Sequence, residues 1–107
     1  MDIYMTFRHM EPTDAVRQYF QEKAEKLNKY MMKGERMNVI FSLEPHQKHR
    51  VDVTLFQKKH LFKSEETTTS MYASIDQVIH HLEQQLKKFK DKVKSHKNSL
   101  WVRRKVA

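Results

Sequence analysis

SMYASIDQVIHHLEQQLKKFKDKVKSHK, residues 70–97, decides how the rest of the chain is read. Within it Tyr72, Ile75, Ile79, Leu82, Leu86, Phe89 and Val93 recur at alternating steps of three and four. That spacing lines one stripe of an α-helix. Ser70 offers a hydroxyl to the orphan amides of the first turn. After Leu86 the character changes. Lys87, Lys88, Lys90, Lys92, Lys94 and Lys97 follow within eleven residues, broken by one acid, Asp91. The first half predicts packing and the second predicts charge display.

The charge distribution supports this division. Residues 87–107 hold nine Lys or Arg and one Asp, whereas residues 1–86 hold twelve basic and twelve acidic side chains. The formal net charge of +8 therefore lies wholly in the last fifth of the chain. Segregated basicity points to an anionic partner, where uniform basicity would bear only on solubility. A helix C-terminus favours one or two cations by its dipole, and six lysines exceed that need. From Lys87 to Lys97 the helix rises about 15 Å, enough to meet several phosphates. At ~100° per residue, Lys87, Lys90 and Lys94 follow one flank of the apolar stripe, and Lys88 and Lys92 lie on the far face. Lysines are compact point charges, suited to backbone contact more than to base readout.

Upstream, residues 2–8 alternate, with Ile3, Met5 and Phe7 opposite Tyr4, Thr6 and Arg8, as in a strand with one buried face. Pro12 breaks the pattern and Thr13 can cap a helix. Val16, Tyr19, Phe20, Ala24, Leu27, Tyr30 and Met31 then extend helical spacing over residues 14–32. Lys23 falls inside that stripe and must snorkel outward. If the two helices lie side by side, Lys23 and Lys26 join the positive edge. Gly34 is the expected C-cap. Residues 36–44 alternate around Met37, Val39, Phe41 and Leu43, and residues 49–57 around Val51, Val53 and Leu55. Lys58 and Lys59 suit a hairpin turn, and residues 60–67 read as a weaker edge strand.

The order is β-α-β-β-β-α, an α+β two-layer sandwich with two helices on one face of a four-stranded sheet. The first two strands are expected as parallel neighbours across a right-handed crossover. Tyr4 and Phe56, on the open face, are possible stacking platforms for bases. Residues 98–107, with Trp101 and the run Arg103-Arg104-Lys105, show no period and read as a flexible basic tail.

Length fits one domain of 107 residues. The absence of cysteine excludes disulfides, thiolate nucleophiles and Cys zinc sites, and fits a reducing cytosol. A single glycine excludes Gly-rich phosphate loops. Neither a signal peptide nor an apolar run near 18 residues is visible, so no membrane partner is expected. The seven histidines form no recognisable spacing with a nucleophile. His46 with His49 is a weak metal pair at most, and His80 and His81 diverge by ~100° on a helix. No catalytic residue, metal or cofactor is expected.

The second helix resembles that of the ribosome hibernation-promoting factors, also called ribosome-associated translation inhibitors. Their pattern runs Asp-Met-Tyr-Ala-Ala-Ile-Asp, then Leu-x-x-Gln-Leu-x-Lys-x-Lys-Asp-Lys. Met71, Tyr72, Ala73, Ile75, Asp76, Leu82, Gln85, Leu86, Lys88, Lys90, Asp91 and Lys92 match it. TDAVRQYFQEKAEKL, from Thr13, resembles the family's first helix, and the likeness covers about residues 1–97. Departures are His81 where lysine is common, Gln84 where arginine is common and Ser70 where aspartate is common. Phe7, Arg8 and His9 replace a more polar, glycine-containing turn.

The resemblance implies a fold related in shape to double-stranded RNA-binding domains. It implies docking on small-subunit ribosomal RNA at the decoding region, in the path of mRNA and tRNA, with translation blocked in stressed or stationary bacteria. By matching position, Arg17, Lys23, Lys26, Lys88, Lys90, Lys92 and Lys94 would face RNA; the charge reading adds Lys87 and Lys97. The length resembles the short form of the family. The expectation is a cytoplasmic, non-enzymatic ribosome-binding domain over residues 1–97, monomeric off the ribosome, followed by the tail 98–107. The alternative is a general structured-RNA-binding module or chaperone without ribosome preference. A third reading takes the Tyr72-to-Val93 stripe as a coiled-coil seam, against the monomer's own need of that stripe for a core.

Overall fold

A computed structural model describes residues 2–31, 35–57 and 59–106, with side chains through Lys92. Gly34, Lys58 and the side chains of Val93, Lys94, Lys97 and the tail lie outside the described residues. Strand β1 is Asp2–Arg8, helix α1 Asp14–Ala24, β2 Arg36–Glu44, β3 Lys48–Gln57, β4 His60–Thr68 and helix α2 Met71–Val106. The helical backbone of α2 thus continues past Lys97 into the segment read as a tail.

The sheet order is β1-β2-β3-β4. β1 and β2 are parallel, with Met5 opposite Val39, and the other pairs are antiparallel. Alternation sets the two faces. Met37, Val39, Phe41, Val51, Val53 and Leu55 are buried, while Tyr4, Thr6 and Arg8 point to solvent. Phe41 stacks on Phe7 at 4.9 Å between ring centroids and meets the edge of Phe20 at 5.7 Å. Both helices cover this apolar face: Phe20 and Leu27 before β2, and Ile75, Ile79, Leu82 and Leu86 of α2, are at most 2% exposed.

α1 begins as the sequence predicts. Thr13 is extended, its Oγ1 accepts from Val16 N at 3.0 Å, and Asp14 occupies the first turn. It ends earlier than predicted. In place of one helix over residues 14–32, the chain tightens into a 3-10 helix at Glu25–Tyr30. With about three residues per turn, that winding aligns Ala24, Leu27 and Tyr30 on one side. Ala24 and Leu27 are buried and Tyr30 is half-buried. The Tyr30 carbonyl then accepts from Gln57 Nε2 at 2.9 Å.

The buried stripe of α2 is also wider than the sequence suggests. Met71, Ser74 and Val78 are buried beside the expected residues, and Tyr72 is 43% exposed at its edge. Ser74 is tolerated there because its hydroxyl donates to the His49 carbonyl at 2.7 Å and lies 2.8 Å from Thr68 Oγ1, so a buried polar group keeps its partners.

Candidate nucleic-acid interface

Packing of α2 on the sheet dictates where its lysines go. Leu86 is buried and Phe89 is half-buried, so Lys87, Lys88, Lys90 and Lys92 are turned to solvent. They divide between two flanks, since Lys88 lies ~160° around the axis from Lys90. On the flank facing the first helix, Lys90 Nζ lies 5.9 Å from the Tyr30 ring centroid. On the other flank, His81 and Gln85 reach β4. His81 Nδ1 is 2.8 Å from Glu66 Oε1, and Gln85 Nε2 donates to the Lys63 carbonyl at 2.8 Å. Lys88 and Lys92 continue that flank. None of the ion pairs among the described residues uses Lys87, Lys88, Lys90 or Lys92.

Of the first-helix cations, Lys23 is half-buried and snorkels along Tyr19, with Nζ 5.3 Å from the ring centroid. Tyr19 in turn donates to Asp76 Oδ1 at 2.7 Å and meets the Tyr72 ring edge-on at 4.8 Å. The hydrogen bond to Asp76 raises the Tyr19 pKa above its ordinary value. Lys23 is thereby fixed beside α2. Lys26 is exposed on the 3-10 helix, where Lys29 pairs loosely with Glu83 at 3.9 Å. Arg17 is not brought to this cluster. Its guanidinium holds Asp14 at 3.0 Å and lies 5.3 Å from the Phe7 ring centroid. Lys94 and Lys97 fall outside the described side chains.

Sequence reasoning missed the link from Tyr19 to Asp76 and the place of Lys29. A signal was present: Asp76, Glu83, Lys87 and Lys90 share one flank at helical spacing, and that flank had to face the first helix.

The opposite sheet face has a different character. The Arg36 guanidinium sits 4.6 Å from the Phe56 ring centroid, so of the two expected stacking platforms only Tyr4, 55% exposed, is without a cation over it. Asp52 and Glu65 are directly opposed across β3 and β4, a repulsive placement. Arg50 bridges both, with 2.8 Å from Nε to Asp52 Oδ2. The guanidinium holds the Asp52 carboxyl below its ordinary pKa. Arg50, Asp52 and Glu65 are thus paired with one another, while Arg8 and Lys63 on the same face stand exposed and enter no ion pair among the described residues. Among the described residues no group of three potential metal ligands occurs, and no helix is long and apolar enough to cross a membrane.

Comparison with known proteins agrees with this architecture. A ribosome hibernation promotion factor of Lactococcus lactis is 37% identical over 87 residues, 79% of this chain and 47% of the relative. A ribosome hibernation promoting factor of Escherichia coli K12 is 32% identical over 96 residues, 90% of this chain and 100% of the relative. The chain thus spans about half of the first relative and all of the second. Among solved structures, the N-terminal domain of Thermus thermophilus Protein Y aligns with a TM-score of 0.76 at 33% identity, over 83% of this chain and 99% of that one. A ribosomal subunit interface protein of Coxiella burnetii shares the fold, with a TM-score of 0.75 at 23% identity. Residues 3–94 match one family throughout, and the chain belongs to the Sigma 54 modulation protein / S30EA ribosomal protein family.

Proposed function

We propose that this chain is a non-enzymatic, cytoplasmic ribosome hibernation factor. It docks on small-subunit ribosomal RNA at the decoding region and obstructs the mRNA and tRNA path under stress or in stationary phase. Off the ribosome it is a monomer. The observation that carries this reading is the set of exposed lysines on α2 with no carboxylate partner among the described residues. Lysines left unpaired by their own protein keep their full charge for phosphates, and each contact releases condensed counterions. The full-length match to the Escherichia coli hibernation factor supports the same reading. Lys87, Lys88, Lys90 and Lys92 make the main contacts, extended by Lys94 and Lys97. Lys23 contributes from α1 and Lys26 from the 3-10 helix, and Arg17, at the start of α1, is a contact apart from that cluster.

Sedimentation through a sucrose gradient tests it. The protein should travel with small subunits and with whole ribosomes at low salt. Its association constant should fall by about 0.7 to 0.9 log units per log unit of salt for each phosphate neutralised. Recovery only at the top of the gradient at every salt concentration contradicts the proposal. A second reading, a general structured-RNA binder, draws on the absence of arginine among the α2 cations up to Lys97, since lysine reads charge and not base edges. Competition separates the two. Bulk duplex RNA displaces a general binder as readily as small subunits do, and leaves a ribosome-specific one in place.

A further inference from the structure

A cavity of about 280 Å³ opens beside the 3-10 helix, between Tyr30 and Met31 on one side and Leu86 and Phe89 of α2 on the other. Its size suits a single ring system, at the small end of ligand sites. Its chemistry is specific. Gln57, 7% exposed at the end of β3, contributes to the lining. Its Nε2 is engaged by the Tyr30 carbonyl, which fixes the amide's orientation, yet its Oε1 is buried and has no hydrogen-bond partner. A buried acceptor of this kind is rare and calls for a donor.

The rim is cationic. Lys29 Nζ and Lys90 Nζ lie 5.2 and 5.9 Å from the centroid of the same Tyr30 ring. One carboxylate, Glu83, meets Lys29 at 3.9 Å, and Lys90 has no ion-pair partner among the described residues. Two ammonium groups converging on one aromatic ring leave a positive excess for an anion. An apolar, aromatic wall, an unmet acceptor and a cationic rim together describe a ligand with a flat ring, an N–H donor and an attached phosphate.

We propose that this cavity binds one nucleotide unit. The base enters between Tyr30 and Phe89 and gives an N–H to Gln57 Oε1, and the phosphate lies between Lys29 and Lys90. A base stacked between its neighbours in a duplex has neither face free to lie between two side-chain rings and cannot enter. The unit is therefore a free mononucleotide or one unstacked residue of an RNA strand. The site shares only Lys90 with the proposed ribosome contacts and does not depend on them.

Titrating the ¹⁵N-labelled full chain with AMP, UMP, ribose 5-phosphate and a single-stranded trinucleotide tests this. AMP or UMP should shift the Gln57 side-chain amide and the backbone amides of Tyr30 and Phe89, and ribose 5-phosphate should not. Shifts with the mononucleotides identify a free nucleotide as the ligand, whereas shifts with the trinucleotide alone identify an RNA residue. Gln57→Leu should weaken binding at least tenfold. Because that change also removes the bond to Tyr30, Lys29→Gln provides a milder variant that keeps the fold and should weaken binding roughly tenfold. No shift with any nucleotide, or unchanged affinity in Lys29→Gln, overturns the proposal. If that result accompanies intact ribosome co-sedimentation, the pocket alone is refuted.

Discussion

The two halves of α2 share one backbone and differ in almost everything else. Before Leu86 the helix is held by the sheet, with Ile75, Val78, Ile79, Leu82 and Leu86 at most 2% exposed. After it, Phe89 is the last described side chain that packs on the core, and the neighbouring lysines stand in solvent. A run of like charges weakens a helix by itself, since cations four apart repel. The cationic half keeps its geometry because the apolar half anchors it. The contrast is a separation of duties: the buried residues hold the helix on the sheet, and the exposed lysines, unpaired among the described residues, contribute little to folding.

The largest change in stability should come from the anchored half. Leu82→Ala removes a fully buried side chain facing the sheet and should cost about 3 kcal/mol. Urea unfolding measures this, and ribosome affinity of the folded fraction should not change. A loss below about 1 kcal/mol would mean the anchor lies elsewhere. Tyr19→Phe, which cuts the link to Asp76 between the helices, should cost about 1 kcal/mol. The ring beneath Lys23 is kept, so ribosome affinity of the folded fraction should not change.

Asp52→Asn, on the open sheet face, should have the smallest effect, about 0.5 kcal/mol, because the pair with Arg50 is partly solvated. Its pH dependence is defined. The folded-state pKa of Asp52 is depressed, so its contribution is complete above the unfolded value of about 4 and lost as pH falls through the folded value. Wild type and variant should therefore differ at neutral pH and converge in acid. A difference that grows on acidification would contradict the assigned sign.

Much of this was legible in the residues themselves. Period-two alternation located β1 through β3 to within one residue, because each of these strands has one apolar face to hide. The three-and-four spacing located where both helices begin and the point at which α2 turns from apolar to basic, but not where the helices end. The family resemblance rested on the same residues, and the match over residues 3–94 agrees with it. What was not legible depends on contacts distant in sequence. The switch to 3-10 winding after Ala24 is tied to Gln57, twenty-seven residues beyond Tyr30. Gln57 itself follows the parity of Val51, Val53 and Leu55 onto the buried face, where its polarity gave no hint of a place. Ser74 hides among apolar neighbours because a carbonyl from β3 awaits it. For the cations, helical phase predicted two flanks, but only packing shows that Lys23 joins α2 while Arg17 turns back to Asp14.

The central claim is that the lysines of α2 serve a partner and not the fold. Lys88→Glu, Lys90→Glu and Lys92→Glu combined test it most directly, with thermal unfolding and small-subunit co-sedimentation measured on the same sample. The account predicts an unfolding midpoint within a few degrees of wild type and loss of co-sedimentation at physiological salt. A triple variant that still pellets with small subunits, or one that unfolds before it can be assayed, would contradict it.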